Sequence, residues 1–95
     1  MSSGWVDPFA YEIAKEKAGA LGRTGRKLEK TLAALRACDH GDEARREELV
    51  WQATELVTSI IVQREACGLR NPRFVFDFYG VPREVIARIG VRRTA

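Results

Sequence analysis

Four residues in one short stretch have side chains that could do chemistry: Cys38, Asp39, His40 and Asp42 of 38-CDHGD-42. Thiolate, imidazole and carboxylate are the usual zinc ligands, and a thiol beside an imidazole is the start of a nucleophilic pair. A metal centre needs three or four converging ligands. One histidine and one cysteine at this spacing more often belong to a polar turn. His40 has no serine or cysteine placed as its nucleophile. Cys67 falls at a helix end rather than a helix start, which is not the position that activates a thiol. No catalytic, metal-binding or cofactor-binding residue is assigned, and a non-enzymatic role is expected.

A second stretch, 19-GALGRTGRK-27, has the look of a phosphate loop. That loop needs four residues between its glycines, then Lys and Ser or Thr, after a strand. Here five residues separate Gly19 and Gly25, Leu28 follows Lys27, and no strand precedes. The reading fails. Arg23, Arg26, Lys27 and Lys30 recur at helical spacing as a basic stripe beside the apolar seam. It could grip phosphates, but such a stripe is more often a solvated face or a partner for neighbouring acids.

The third stretch is 79-YGVPREVIARIG-90. A glycine turn followed by a helix with Val85, Ile86 and Ile89 inward has the rhythm of a helix-turn-helix, and Arg83, Arg88, Arg92 and Arg93 could reach phosphates or guanine edges. Against this, the preceding helix is only about two turns long, and Phe76 stands where a small residue would let the helices cross. Gly90 stops the second helix early. A DNA-binding role for residues 72–90 is kept as the alternative, with nucleic acid allowed as a partner but not favoured.

The elements that position these residues follow from apolar spacing. Asp7 can cap a first helix, Pro8 suits its first position, and Val6 can staple onto Tyr11. Tyr11, Ala14, Ala18, Leu21, Gly25, Leu28, Leu32 and Leu35 then step by three and four, a heptad seam. The helix is predicted over 8–38, ~45 Å at 1.5 Å per residue. Gly19, Gly22 and Gly25 each cost about 1 kcal/mol against alanine. With Ala14, Ala18 and Ala20 they form a small-residue surface where another helix can approach. A kink or local break is the other reading.

After the turn, Asp42, Glu43, Glu47 and Glu48 favour a helix start, and a second helix is predicted over 42–67. Leu49, Ala53, Leu56 and Ile60 form its seam, widened by Val50, Val57 and Ile61. Gly68 suits the C′ position, with Leu69 beside it. Two long helices joined by a short turn are antiparallel neighbours. At 100° per residue, Trp51 and Val62 fall together and roughly opposite Leu49, Ala53 and Ile60. That side needs a different cover. Asn71-Pro72 opens a third helix over 72–79, carrying Phe74, Val75, Phe78 and Tyr79. The alternation in 74-FVFDFY-79 also fits a strand, but the Asn-Pro start and the Gly80 stop favour helix. Pro82 opens a last helix over 82–89.

The stretches 11-YEIAKEKAGALGRTGRKLEKTLAAL-35, 62-VQREACGLRN-71 and 79-YGVPREVIARIG-90 together resemble a family of short, uncharacterised, helical bacterial proteins, mostly alphaproteobacterial, classed as a domain of unknown function. The resemblance implies a single helical domain and brings no activity or cofactor.

The 95-residue chain carries 16 basic and 13 acidic residues, a net charge of +3, and is 45% hydrophobic. This suits one soluble folded domain and permits an acidic partner without demanding one. The start MSSGWVDPF lacks the charge and apolar run of a signal peptide, and 56-LVTSIIV-62 is too short to span a bilayer. A cytoplasmic location is expected. The fold expected is all-α: a long antiparallel hairpin with two short C-terminal helices. A core this small is marginal alone, so a homodimer is expected, two hairpins making a four-helix bundle. Trp51, Val62, Gly22, Gly25, Phe74 and Phe78 are the residues assigned to packing or to the oligomer interface. The aromatic C-terminal segment would cover Trp51 and Val62 or reach the other subunit.

Cys38 and Cys67 close opposite ends of that hairpin, ~35–40 Å apart at 1.5 Å per residue, far beyond the 7 Å or so a disulfide spans. Mass spectrometry of protein alkylated without reductant should find no Cys38–Cys67 peptide within one chain. Finding one would defeat the antiparallel hairpin.

Overall fold

The chain reverses at 38–42, and every other contact is arranged around that reversal. The computed structural model describes Pro8 and residues 19–93. Four helices follow in order: α1 (Gly19–Ala37), α2 (Glu43–Ala66), α3 (Pro72–Tyr79) and α4 (Arg83–Ile86). No strand occurs among the described residues, and 74–79 is helical. The predicted start of the first helix at Asp7, and its seam through Tyr11, Ala14 and Ala18, lie outside the described residues.

The turn is held locally. The Gly41 N–H donates to Asp39 Oδ1 at 2.9 Å, and the Asp42 N–H donates to the Asp39 carbonyl at 2.9 Å. Asp42 then caps α2 by accepting from the Arg45 N–H at 3.1 Å. This satisfies one of the helix's orphan donors. At the other end of α2 the Leu69 N–H returns to the Arg64 carbonyl at 2.8 Å and the Gly68 N–H to Glu65 at 3.0 Å, with Gly68 at φ +84. That is the predicted C′ glycine in a Schellman end.

α1 and α2 pack antiparallel along their apolar rows. Leu28, Leu32 and Leu35 of α1 are buried with Leu49, Ala53, Val57 and Ile60 of α2. Each large side chain of this kind contributes roughly 1.5–3 kcal/mol when fully buried. α2 has a second buried side. Val50, Thr54 and Val57 lie to one flank of the Leu49–Ala53–Ile60 row, and α3 and α4 both pack against α2. Val75, Val81 and Val85 come from that C-terminal segment to complete the core. The Thr54 hydroxyl is buried without cost because it donates to the Val50 carbonyl at 2.8 Å.

α1 runs unbroken through Gly22 and Gly25, so the glycines mark no helix break. Both are buried. Gly25 faces Tyr79 from α3. A Cβ built there would overlap the Tyr79 hydroxyl and sit 3.1 Å from Cζ and 3.3 Å from Cε1. The notch therefore admits an aromatic ring from the short helix.

Two expectations need correction. The last helix is not 82–89: the α-helix ends at Ile86, and the chain continues in turns through Gly90. The Arg88, Ile89 and Val91 N–H groups reach back only three residues, to Val85, Ile86 and Arg88. The apolar residues Val85, Ile86 and Ile89 suggested a longer helix, but the backbone tightens before Gly90 reverses it. The aromatic segment also does not cover Val62, which is 57% exposed. α3 packs instead where Phe74 meets Arg64 of α2 and Tyr79 meets Gly25 of α1.

Gly25→Leu should lower stability by ~1–3 kcal/mol despite its better helix propensity, because the new side chain collides with Tyr79. In a Tyr79→Ala background the cost should shrink. Urea midpoints of the four proteins give the coupling. Equal costs in both backgrounds would show that Tyr79 is not what limits the site.

Candidate functional site

The outer face of α2 gathers charged and aromatic side chains, and the last described residues lie across it. Turning 100° per residue puts Glu47, Trp51, Thr58 and Val62 on this face, away from the core row. Residues 87–93 after α4 contain turns and no helix. They are held by side chains instead.

Glu47 is the hub. Its Oε2 accepts from Trp51 Nε1 at 3.1 Å, and its Oε1 accepts from Arg88 NH2 at 3.1 Å. Arg88 NH1 lies 3.0 Å from Oε2 but is not aligned for a hydrogen bond. Arg93 pairs with Glu48 at 2.5 Å. The Cζ atoms of Arg88 and Arg93 lie 5.1 and 5.7 Å from the Trp51 ring centroid, so two guanidinium groups cover the indole. A third pair joins α4 to the start of α2. Arg46 makes two parallel hydrogen bonds to Glu84, each 2.5 Å.

Two of the pairs lower a carboxylate's pKa. The hydrogen bonds from Arg46 hold the Glu84 carboxyl below the usual range, and Arg93 does the same for Glu48. All three pairs are open to solvent, where an ion pair contributes ~0–1 kcal/mol and a cation–π contact ~0.5–1. The closure is made of several weak contacts rather than one strong one.

Beside Trp51 runs an open groove of about 590 Å³, walled by Thr54, Thr58 and Ser59 of α2 and by Val91 and Arg92 of the last described residues. Val91 is 55% exposed, and Val62 lies one turn beyond Thr58 on the same face. The two most exposed large apolar side chains of the described residues thus flank one surface.

The residues singled out from sequence are divided by the fold. Trp51, Arg88 and Arg93 come together, with Arg92 at the groove wall. Val62 lies further along the same face, uncovered. Gly22, Gly25, Phe74 and Phe78 belong to the other end of the hairpin. There the Phe74 and Phe78 rings stack with centroids 5.5 Å apart, and Arg64, only 1% exposed, lies 4.5 Å over Phe74. Arg83 is exposed on the one-turn α4. The basic stripe Arg23, Arg26, Lys27 and Lys30 is exposed. It lies across α1 from the leucine row rather than beside it.

Sequence reasoning missed the acidic partners. Glu47 and Glu48 read as a favourable helix start, and Arg46 and Glu84 carried no signal. The spacing of Arg64 did hold one, since it falls four residues after Ile60 on the core side. Among the described residues no group of three or more His, Cys, Asp or Glu side chains could hold a metal ion, and no helix is long and apolar enough to cross a membrane. Cys38 is half-buried and Cys67 exposed, both as free thiols.

Glu48 and Glu84 have folded pKa values depressed below the unfolded value. Their stabilisation is therefore present above the unfolded value and lost as pH falls through the lower, folded one. With Trp5→Phe leaving Trp51 as the sole tryptophan, its emission should hold steady from neutral pH down to the ordinary glutamate range and shift only below it. Arg93→Ala should move that shift to higher pH. A shift near neutral pH in the parent would contradict the pairing.

Residues 4–95 match the model of a family of unknown function, DUF6665. No curated protein and no solved structure matches the chain.

Proposed function

The chain belongs to that family of unknown function, DUF6665, and from its surfaces we propose that it is a small non-catalytic interaction or regulatory protein acting as a homo-oligomer, paired through the outer face of α2. The observation that carries this is the exposure of Val62 and Val91 on one face, beside the groove at Trp51. Large apolar side chains that flank one surface mark contact sites more often than scattered ones do. A two-fold contact through this face would close on itself. Two hairpins meeting there would form a four-helix bundle and cover Val62, which the chain's own C-terminal segment leaves bare. Two free thiols suit a reducing compartment, and a cytoplasmic location goes with the reading.

DNA recognition by residues 72–90 is the weaker reading. Arg88 and Arg93 already hold Glu47 and Glu48, and α4 is one turn long. A recognition helix needs several side chains presented along a groove.

Sedimentation at micromolar concentration should give twice the chain mass. Val62→Lys should return the monomer mass while keeping the helical circular dichroism. A monomeric parent protein would sink the proposal. Arg83→Ala with Arg88→Ala should leave any DNA affinity nearly unchanged. A sequence-specific complex that survives ~200 mM salt and is lost in that double variant would favour the DNA reading instead.

A further inference from the structure

We propose that the outer face of α1 binds the phosphodiester backbone of nucleic acid, without base specificity, through Arg23, Arg26, Lys27 and Lys30. All four are exposed. At 100° per residue they fall within an arc of about 100° on the side of α1 opposite Leu21, Leu28 and Leu32. They span ~10 Å of helix axis. A nucleic-acid strand carries one charge per ~3.4 Å of its own axis, so the stripe spans about three such intervals and can meet about four phosphates.

The charges are available. Arg46, Arg88 and Arg93 are each held by a glutamate. Among the described residues none of the four stripe cations has an ion-pair partner. The acid within α1, Glu29, lies off the arc. The acids are concentrated on α2, with Glu43, Glu47, Glu48, Glu55 and Glu65. Over Gly19–Ala37 no acid therefore lies on the stripe's arc, and an extended polyanion is its complement.

Two other occupants fit less well. A membrane-surface helix needs large apolar side chains beside its cations. The leucines of α1 are buried against α2, and its outer face offers only small residues. A second copy could lay its α2 acids on the stripe, but joining two different faces propagates instead of closing, and Glu47 and Glu48 are already engaged. The stripe and the outer face of α2 are on opposite sides of the hairpin, so a dimer through α2 would leave two stripes exposed. The proposal does not depend on that dimer.

The test uses the full chain, a labelled 20-base-pair DNA duplex and a labelled 20-nucleotide RNA of mixed sequence, followed by fluorescence anisotropy. Neutralising about four phosphates gives a log–log salt slope near −3.6, so affinity should fall about 100-fold between 50 and 200 mM salt. Arg23→Ala with Lys27→Ala should lower the slope by about 2 on DNA. Alanine favours helix, and both positions are exposed, so the melting temperature should not drop. Arg83→Ala with Arg92→Ala, two exposed cations elsewhere, should leave binding unchanged. The proposal is overturned by no binding at 50 mM salt, by a slope that ignores the α1 substitutions, by loss only in the Arg83 and Arg92 variant, or by tighter binding to phosphatidylcholine–phosphatidylserine vesicles than to either nucleic acid.

Discussion

α2 has more surface to bury than one neighbour can cover, and the rest of the structure answers to that. A helix in a two-helix hairpin offers its partner a single stripe. α2 buries that stripe, Leu49, Ala53 and Ile60, against α1. It also buries Val50, Thr54 and Val57 on a second flank. The C-terminal third exists to cover this flank. Val75, Val81 and Val85 supply the apolar surface, and the third side of α2 is left for Trp51, Val62 and the glutamates.

The same constraint explains what could be read from sequence and what could not. The turn at 38–42 and the two long helices were legible because spacing, capping and turn residues agree there. Asp42 and Gly68 cap α2 as their types suggest. The glycines of α1 were legible as a close contact, but not which residue makes it, because Tyr79 lies 54 positions from Gly25 in the sequence. Val50, Val57 and Ile61 read as a widening of one seam when they form a second face. Read as one widened seam, they gave the aromatic segment no place within the chain except over Trp51 and Val62, and Val62 stays exposed. The short α4 was not legible, since nothing in Val85, Ile86 and Ile89 tells an α-turn followed by tighter turns from a full helix.

Charge is distributed with the same division of labour. The cations of the last described residues fold back onto α2 and meet Glu47 and Glu48, while among the described residues no ion pair holds Arg23, Arg26, Lys27 or Lys30. The closure at Trp51 is electrostatic and solvent-exposed, so salt weakens it. The leucine seam of the hairpin has no such dependence. The molecule thus joins a part whose cohesion is apolar to a part whose cohesion is ionic.

The three ion pairs also order events in time. They join residues 38, 41 and 45 positions apart, whereas the hairpin closes through a turn of a few residues. Chain closure over a longer span costs more entropy before any contact rewards it. In a refolding chain the hairpin can therefore form while Val50 and Val57 still lack the cover that Val75, Val81 and Val85 give them. Until the C-terminal segment docks, the half-made molecule presents an apolar flank to whatever is near.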